Sequence, residues 1–171
     1  MGVARNGRFA AVTNYRGATE PAAAESRGAL VSRFLTENIA PGNFLSEIQK
    51  RANAYSGFNL LVANEDELWW FSNRDGTPRR LEPGVYGLGN LLLDSPEVKP
   101  AKEEFAATIG AAPAAEALFT GLARAKIIGA EYGTRCSTVL LKGEGRSVRY
   151  AERSFSADGA GQETLQYQFQ R

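Results

Sequence analysis

The residues best suited to chemistry lie toward the C-terminal end. They are Tyr132-Gly-Thr-Arg-Cys-Ser-Thr-Val-Leu-Leu141 and, after a short turn, Glu152-Arg153-Ser154-Phe155. Arg135 follows a Gly-Thr turn and leads straight into an apolar strand. Such a turn holds a guanidinium at a strand mouth, where its planar fork can meet a carboxylate, a phosphate or a developing oxyanion. A structural ion pair with Glu131 is the competing reading. Cys136 comes next, and a neighbouring cation favours a thiolate. Adjacent strand residues point to opposite faces, however, which predicts a buried and inert thiol.

Asn14 and Asn90 each end a segment and open a loop. Their amides either donate to a substrate carbonyl, as in an oxyanion hole, or close a turn. Trp69 and Trp70 sit between Leu68 and Phe71 and are expected to pack a core. Alternation sends them to opposite faces, so that one can reach a pocket or interface and hold a flat apolar ligand. Arg79-Arg80 reads as a solvated hairpin edge. Ser26-Arg27-Gly28 reads as a helix start, as a cap or as an anion-binding terminus.

The chain contains no histidine. That removes the commonest general base and metal ligand, and with them Ser-His-Asp and Cys-His catalysis within this chain. No metal site and no resident cofactor are expected. A single cysteine builds no intrachain disulfide.

The elements that must position these residues fit one compact domain over residues 1–171. Apolar residues make up 43% and charged residues 23%, enough for a core. A net charge of +1 argues for neither nucleic acid nor an anionic membrane as partner. No apolar run approaches the roughly 18 residues that span a bilayer. No signal-peptide pattern opens the chain, so a cytoplasmic location is the expectation.

Met1–Ala4 and Arg8–Asn14 read as a hairpin about Asn6-Gly7. A helix is expected from Gly28 to Ile39, then Pro41 as a break and Asn43 as the cap of a second helix. Phe58–Asn64, Leu68–Ser72, Arg79–Leu81 and Gly84–Asn90 read as an antiparallel meander. Pro96 and Pro100 end it. Lys102–Ile109 and Pro113–Ala125 read as helices. Ser137–Leu141 and Val148–Ala151 read as strands joined by a Gly143-Glu-Gly145 turn. In the last strand Leu165, Tyr167 and Phe169 alternate with polar residues, which predicts one buried and one wet face. The order predicts an α+β layered fold.

Taken in sequence, Gly7–Arg16, Ser26–Gly28 with Val31 and Phe34-Leu35, Tyr55–Leu61, Gly87–Asn90 and the Tyr132–Phe155 block resemble the NRDE family, also called the Transport and Golgi organization protein 2 family. The resemblance runs nearly the full length. It implies an αββα sandwich like that of N-terminal-nucleophile hydrolases, in which an N-terminal Cys, Ser or Thr attacks an amide and its own amine is the base. Such members begin Met-Cys and soon carry Asn-Arg-Asp-Glu. This chain opens Met1-Gly2-Val3, and its Asn73-Arg74-Asp75-Gly76 reads as a hairpin turn. A shortened member is therefore expected, without the first strands and with no catalytic residue in this chain. Its uncovered sheet edge would call for a homodimer or another partner.

On that resemblance the chain is a non-catalytic binding or trafficking protein. Its ligand would be small, apolar and anionic, such as haem or an acyl or lipid metabolite. The alternative is an amidohydrolase whose Cys a longer chain supplies. Haem would be cargo, ligated by a tyrosine, by Cys136 or by no strong axial ligand, with an arginine paired to a propionate.

Overall fold

The computed structural model describes residues 1–17, 24–109, 114–143 and 147–170. They fall into two compact units, Met1–Val98 and Lys99–Arg171. The described residues hold four α-helices and two antiparallel sheets, an α+β arrangement. None of the helices is long and apolar enough to cross a membrane.

The first unit has a sheet in the order β1-β2-β3-β4-β5, formed by Gly2–Val3, Phe9–Asn14, Phe58–Ala63, Leu68–Ser72 and Arg79–Leu81. The β1–β2 hairpin turns where Gly7 takes φ 79°, a conformation that side chains resist. Helices α1 (Arg27–Thr36) and α2 (Pro41–Lys50) join β2 to β3. Their apolar residues Leu30, Phe34, Phe44, Leu45 and Ile48 close on Ala10, Phe58, Leu60, Val62 and Phe71 from alternate strand positions. Phe34 meets Phe44, and Phe58 meets Phe71, edge to face.

Three expectations for this unit are corrected. Pro41 opens α2 rather than breaking a helix; its fixed φ suits the first helical position, and Asn43 lies inside the helix. The first helix stops at Thr36, where Arg33 anchors the end by accepting the Glu37 N–H at 3.0 Å. Gly84–Asn90 forms no strand: the Gly87 carbonyl accepts the Asp94 N–H at 2.8 Å, within the same loop, and the Gly89 carbonyl is taken by a side chain. Thr13 Oγ1 donates to Gly89 at 2.9 Å, and Asn59 Nδ2 donates to Leu91 just beyond it at 2.9 Å. The Asn73–Gly76 turn is as expected, with Asn73 Oδ1 accepting the Phe58 N–H at 2.9 Å.

The second unit stacks α3 (Lys99–Thr108) and α4 (Ala115–Leu122) with a sheet in the order β6-β7-β8: Cys136–Lys142, Ser147–Phe155 and Gly161–Gln170. Pro100 does not end the preceding region; it sits in the first turn of α3, where no N–H is missed. The expected start at Pro113 and residues 144 and 145 of the expected turn lie outside the described residues. The core is small: Leu118, Phe119, Val139 and Ala151, edged by Phe105, Leu122 and Leu141. β8 alternates as expected, but Leu165 and Tyr167 stay 42% and 59% exposed, so its apolar face is not a buried one.

Candidate ligand site

Arg135 enters β6 at the mouth of a surface pocket of about 270 Å³. The pocket lies wholly within the second unit, and Ile127, Tyr132, Thr134, Phe155 and Ser156 help to line it. The loop leading to Arg135 is closed by two bonds: Thr134 N–H donates to the Ile127 carbonyl at 2.9 Å, and Ile127 N–H donates to Thr134 Oγ1 at 2.9 Å. Gly129 lets the loop fold so tightly, since a Cβ there would fall 2.7 Å from the Tyr132 carbonyl. The Phe155 N–H then donates to the Arg135 carbonyl at 2.8 Å, tying the two ends of the Tyr132–Phe155 block together.

The Arg135 guanidinium itself is exposed and holds no ion pair or hydrogen bond among the described residues, so the alternative pairing with Glu131 is not formed. Around it, Ile127, Ile128 and Tyr132 are 52%, 59% and 75% exposed. The neighbouring cation is committed: Lys126 Nζ donates to the Gly159 carbonyl at 2.8 Å and lies 4.8 Å from the Phe155 ring centre. The site thus offers one unengaged cation beside apolar side chains that water wets, a suitable arrangement for an anionic head on a hydrocarbon body.

Cys136 is exposed at the first position of β6, opposite Ser154, not buried as expected. On the same face Glu152 accepts from Thr138 Oγ1 at 3.1 Å and from Tyr150 Oη at 2.5 Å. Burial and that carboxylate hold the Tyr150 phenol above its usual range. Arg153 points to the other face and grips Glu116 of α4 with two bonds, 3.1 and 2.7 Å, while covering Phe119 at 4.4 Å.

The sequence can be set beside known proteins. The family profile described as Transport and Golgi organisation 2 matches residues 1–128. The chain belongs to that family. The Transport and Golgi organization 2 homolog of Mus musculus is 34% identical over 102 residues, which is 56% of this chain. The Transport and Golgi organization protein 2 homolog of Homo sapiens is 35% identical over the same length. The match spans 37% of the length of each of these relatives.

In this member of the Transport and Golgi organisation 2 family the other candidate residues lie in the first unit. Asn14 and Asn90 do meet, but Asn90 Nδ2 donates to the Asn14 backbone carbonyl at 2.7 Å, which ties a loop to a strand end. Trp70 is fully buried, with the Arg79 guanidinium 4.4 Å above its ring. Trp69 is half-buried on the helix side, where its Nε1 donates to Glu67 at 2.9 Å and its ring lies 2.9 Å from where a Cβ of Gly42 would be. Neither indole lines the Arg135 pocket. Arg79 is therefore partly engaged, while Arg80 is exposed.

Sequence reading passed over Arg8. It is buried, stacks 3.9 Å from the Phe34 ring centre, and donates to the Phe34 and Ile39 carbonyls at 3.0 and 2.8 Å. Those carbonyls lie at and beyond the end of α1, where a cation complements the helix dipole. Burial lowers its pKa below the arginine norm, and Glu37 opposes the shift. The only sequence signal was a charged residue at the start of an apolar run.

Proposed function

We propose that this protein binds, and hands on, a small ligand with an apolar body and an anionic head, in the cytoplasm and without chemistry of its own. Haem and acyl or lipid metabolites fit that description. One observation carries the reading: the unengaged Arg135 guanidinium at a pocket rimmed by exposed Ile127, Ile128 and Tyr132. The guanidinium would pair with a propionate, carboxylate or phosphate. The pocket's 270 Å³ takes the head and its adjoining carbons, and a larger body would lie over the exposed Ile and Tyr side chains. The names of the relatives, which speak of transport and Golgi organization, favour a carrier in general terms.

The test is titration with haemin, followed by absorbance, and with a long-chain acyl-CoA, followed by calorimetry. At least one should saturate. Arg135→Ala should weaken it about tenfold, the low end for a charged hydrogen bond because the site is open to water. Arg80→Ala, an exposed arginine that is not among the pocket's lining residues, should leave it unchanged. Unsaturable binding of both ligands, or equal loss in both variants, overturns the proposal. Amide hydrolysis by a native product of greater mass with an N-terminal cysteine would replace it with the hydrolase reading.

A further inference from the structure

β8 ends the three-stranded sheet. One side is laddered to β7 and no described strand lies on the other. An edge strand leaves a row of N–H and C=O groups without ladder partners, and soluble proteins guard such edges with proline, lysine, bulges or covering segments. β8 carries no proline and no lysine. It is 10 residues long, Gly-Gln-Glu-Thr-Leu-Gln-Tyr-Gln-Phe-Gln, with Glu163 as its one charge. The register shift opposite it falls between Arg153 and Phe155, against its first residues, and leaves 164–170 regular. All of the strand except Thr164 and Phe169 is exposed.

The order of side chains in β8 is close to symmetric about Gln166. Stepping outward, Leu165 balances Tyr167, Thr164 balances Gln168, Glu163 balances Phe169, and Gln162 balances Gln170. Two antiparallel copies about a two-fold axis oppose residues in just this way, because an isologous contact sets each residue against its mirror position. With the axis at Gln166, Leu165 of each copy faces Tyr167 of the other, which covers the two large apolar side chains that the strand now exposes. On the opposite face Gln166 meets its own copy, and Thr164 meets Gln168. Glu163 meets Phe169, so no like charges oppose. An axis at Leu165 instead sets Tyr167 against Glu163 and Phe169 against Gly161. An axis at Tyr167 pairs only 164–170, whereas the axis at Gln166 pairs 162–170.

We propose that β8 pairs with β8 of a second copy of this chain, antiparallel about Gln166, to join two sheets into one. The proposal stands apart from the ligand reading, since the Arg135 pocket contains no residue of β8.

Sedimentation of the full chain over a concentration series should show a reversible dimer. Leu165→Lys with Tyr167→Lys opposes two pairs of ammonium groups across the axis and should abolish it. Leu165→Lys with Tyr167→Glu opposes unlike charges at the same places and should restore it. Circular dichroism checks that each variant is folded. In a Cys136→Ser background, Gln166→Cys should oxidise to a covalent dimer, because the axis brings that position beside itself. Thr164→Cys should not, since it faces Gln168. A chain that is monomeric at its highest soluble concentration overturns the proposal. So does a dimer indifferent to the charge reversal, or a monomer whose β8 amides resist hydrogen exchange because another segment covers them.

Discussion

The two units put their apolar residues to different uses. In the first, Phe34, Phe44, Phe58, Trp70 and Phe71 are fully buried around one sheet and two helices. In the second, the core is four residues with a thin margin. Of the described residues with large exposed apolar side chains, Met1 and Tyr86 lie in the first unit; Ile109, Ile127, Ile128, Tyr132, Leu165 and Tyr167 lie in the second. The difference teaches where to look. The first unit spends apolar surface on its own stability, and the second keeps it where a ligand or another chain can reach.

The comparison breaks most readily at Phe44. Phe44→Ala should cost about 3–5 kcal/mol, the range for emptying a packed aromatic site. Denaturant melts followed by tryptophan fluorescence would measure it, since Trp69 and Trp70 both lie in β4. A loss under about 1 kcal/mol would mean that the first core is no denser than the second. Arg8→Met should cost about 2 kcal/mol, because it keeps the apolar stem but strands the Phe34 and Ile39 carbonyls. The same melt reads that loss.

In the second unit, effects should be smaller and more sensitive to pH. The Arg153 hydrogen bonds hold the Glu116 carboxyl below the usual range. A carboxylate with a depressed folded pKa lends stability above its unfolded value and loses it as pH falls through the folded one. Glu116→Gln should therefore lower the melting midpoint slightly at neutral pH, and the gap from the native chain should close on acidification. A gap independent of pH would assign the Glu116 contribution to packing. Tyr132→Ala should do least of all, within about 0.5 kcal/mol by the same melts, because that ring covers nothing. If it also leaves ligand titrations unchanged, the exposed apolar loop loses its role at the Arg135 pocket.

Much of this was legible in the sequence where the signal is local. The Asn6-Gly7 hairpin and the Asn73–Gly76 turn follow from residues that tolerate tight backbones. The strands from Phe58 to Leu81 follow from period and punctuation. Pro41 misled because proline breaks a helix and also begins one, and only the neighbouring chain path decides. Gly84–Asn90 failed because Gly89 bonds the Thr13 side chain, far away in sequence, and Gly87 bonds Asp94 in its own loop. The face of β8 was readable, yet whether anything covers it depends on the rest of the molecule. For the site, Arg135 and Phe155 were marked by the motif. So was Tyr132, but Ile127 and Ile128 were not, since apolar residues in a loop carry no sign of being left in water.

The β2–β3 ladder has a consequence in time. Its Thr13 and Asn59 stand 46 residues apart, with both helices between them. The β6–β7 hairpin joins Thr138 to Glu152 across only 14. Closing the longer loop surrenders more chain entropy before any contact repays it, and folding rates fall as contacts grow more distant in sequence. As the chain collapses, the C-terminal meander should thus be the early, fast-forming piece. The aromatic layer would arrive late, when Asn59 finally comes to rest beside Thr13.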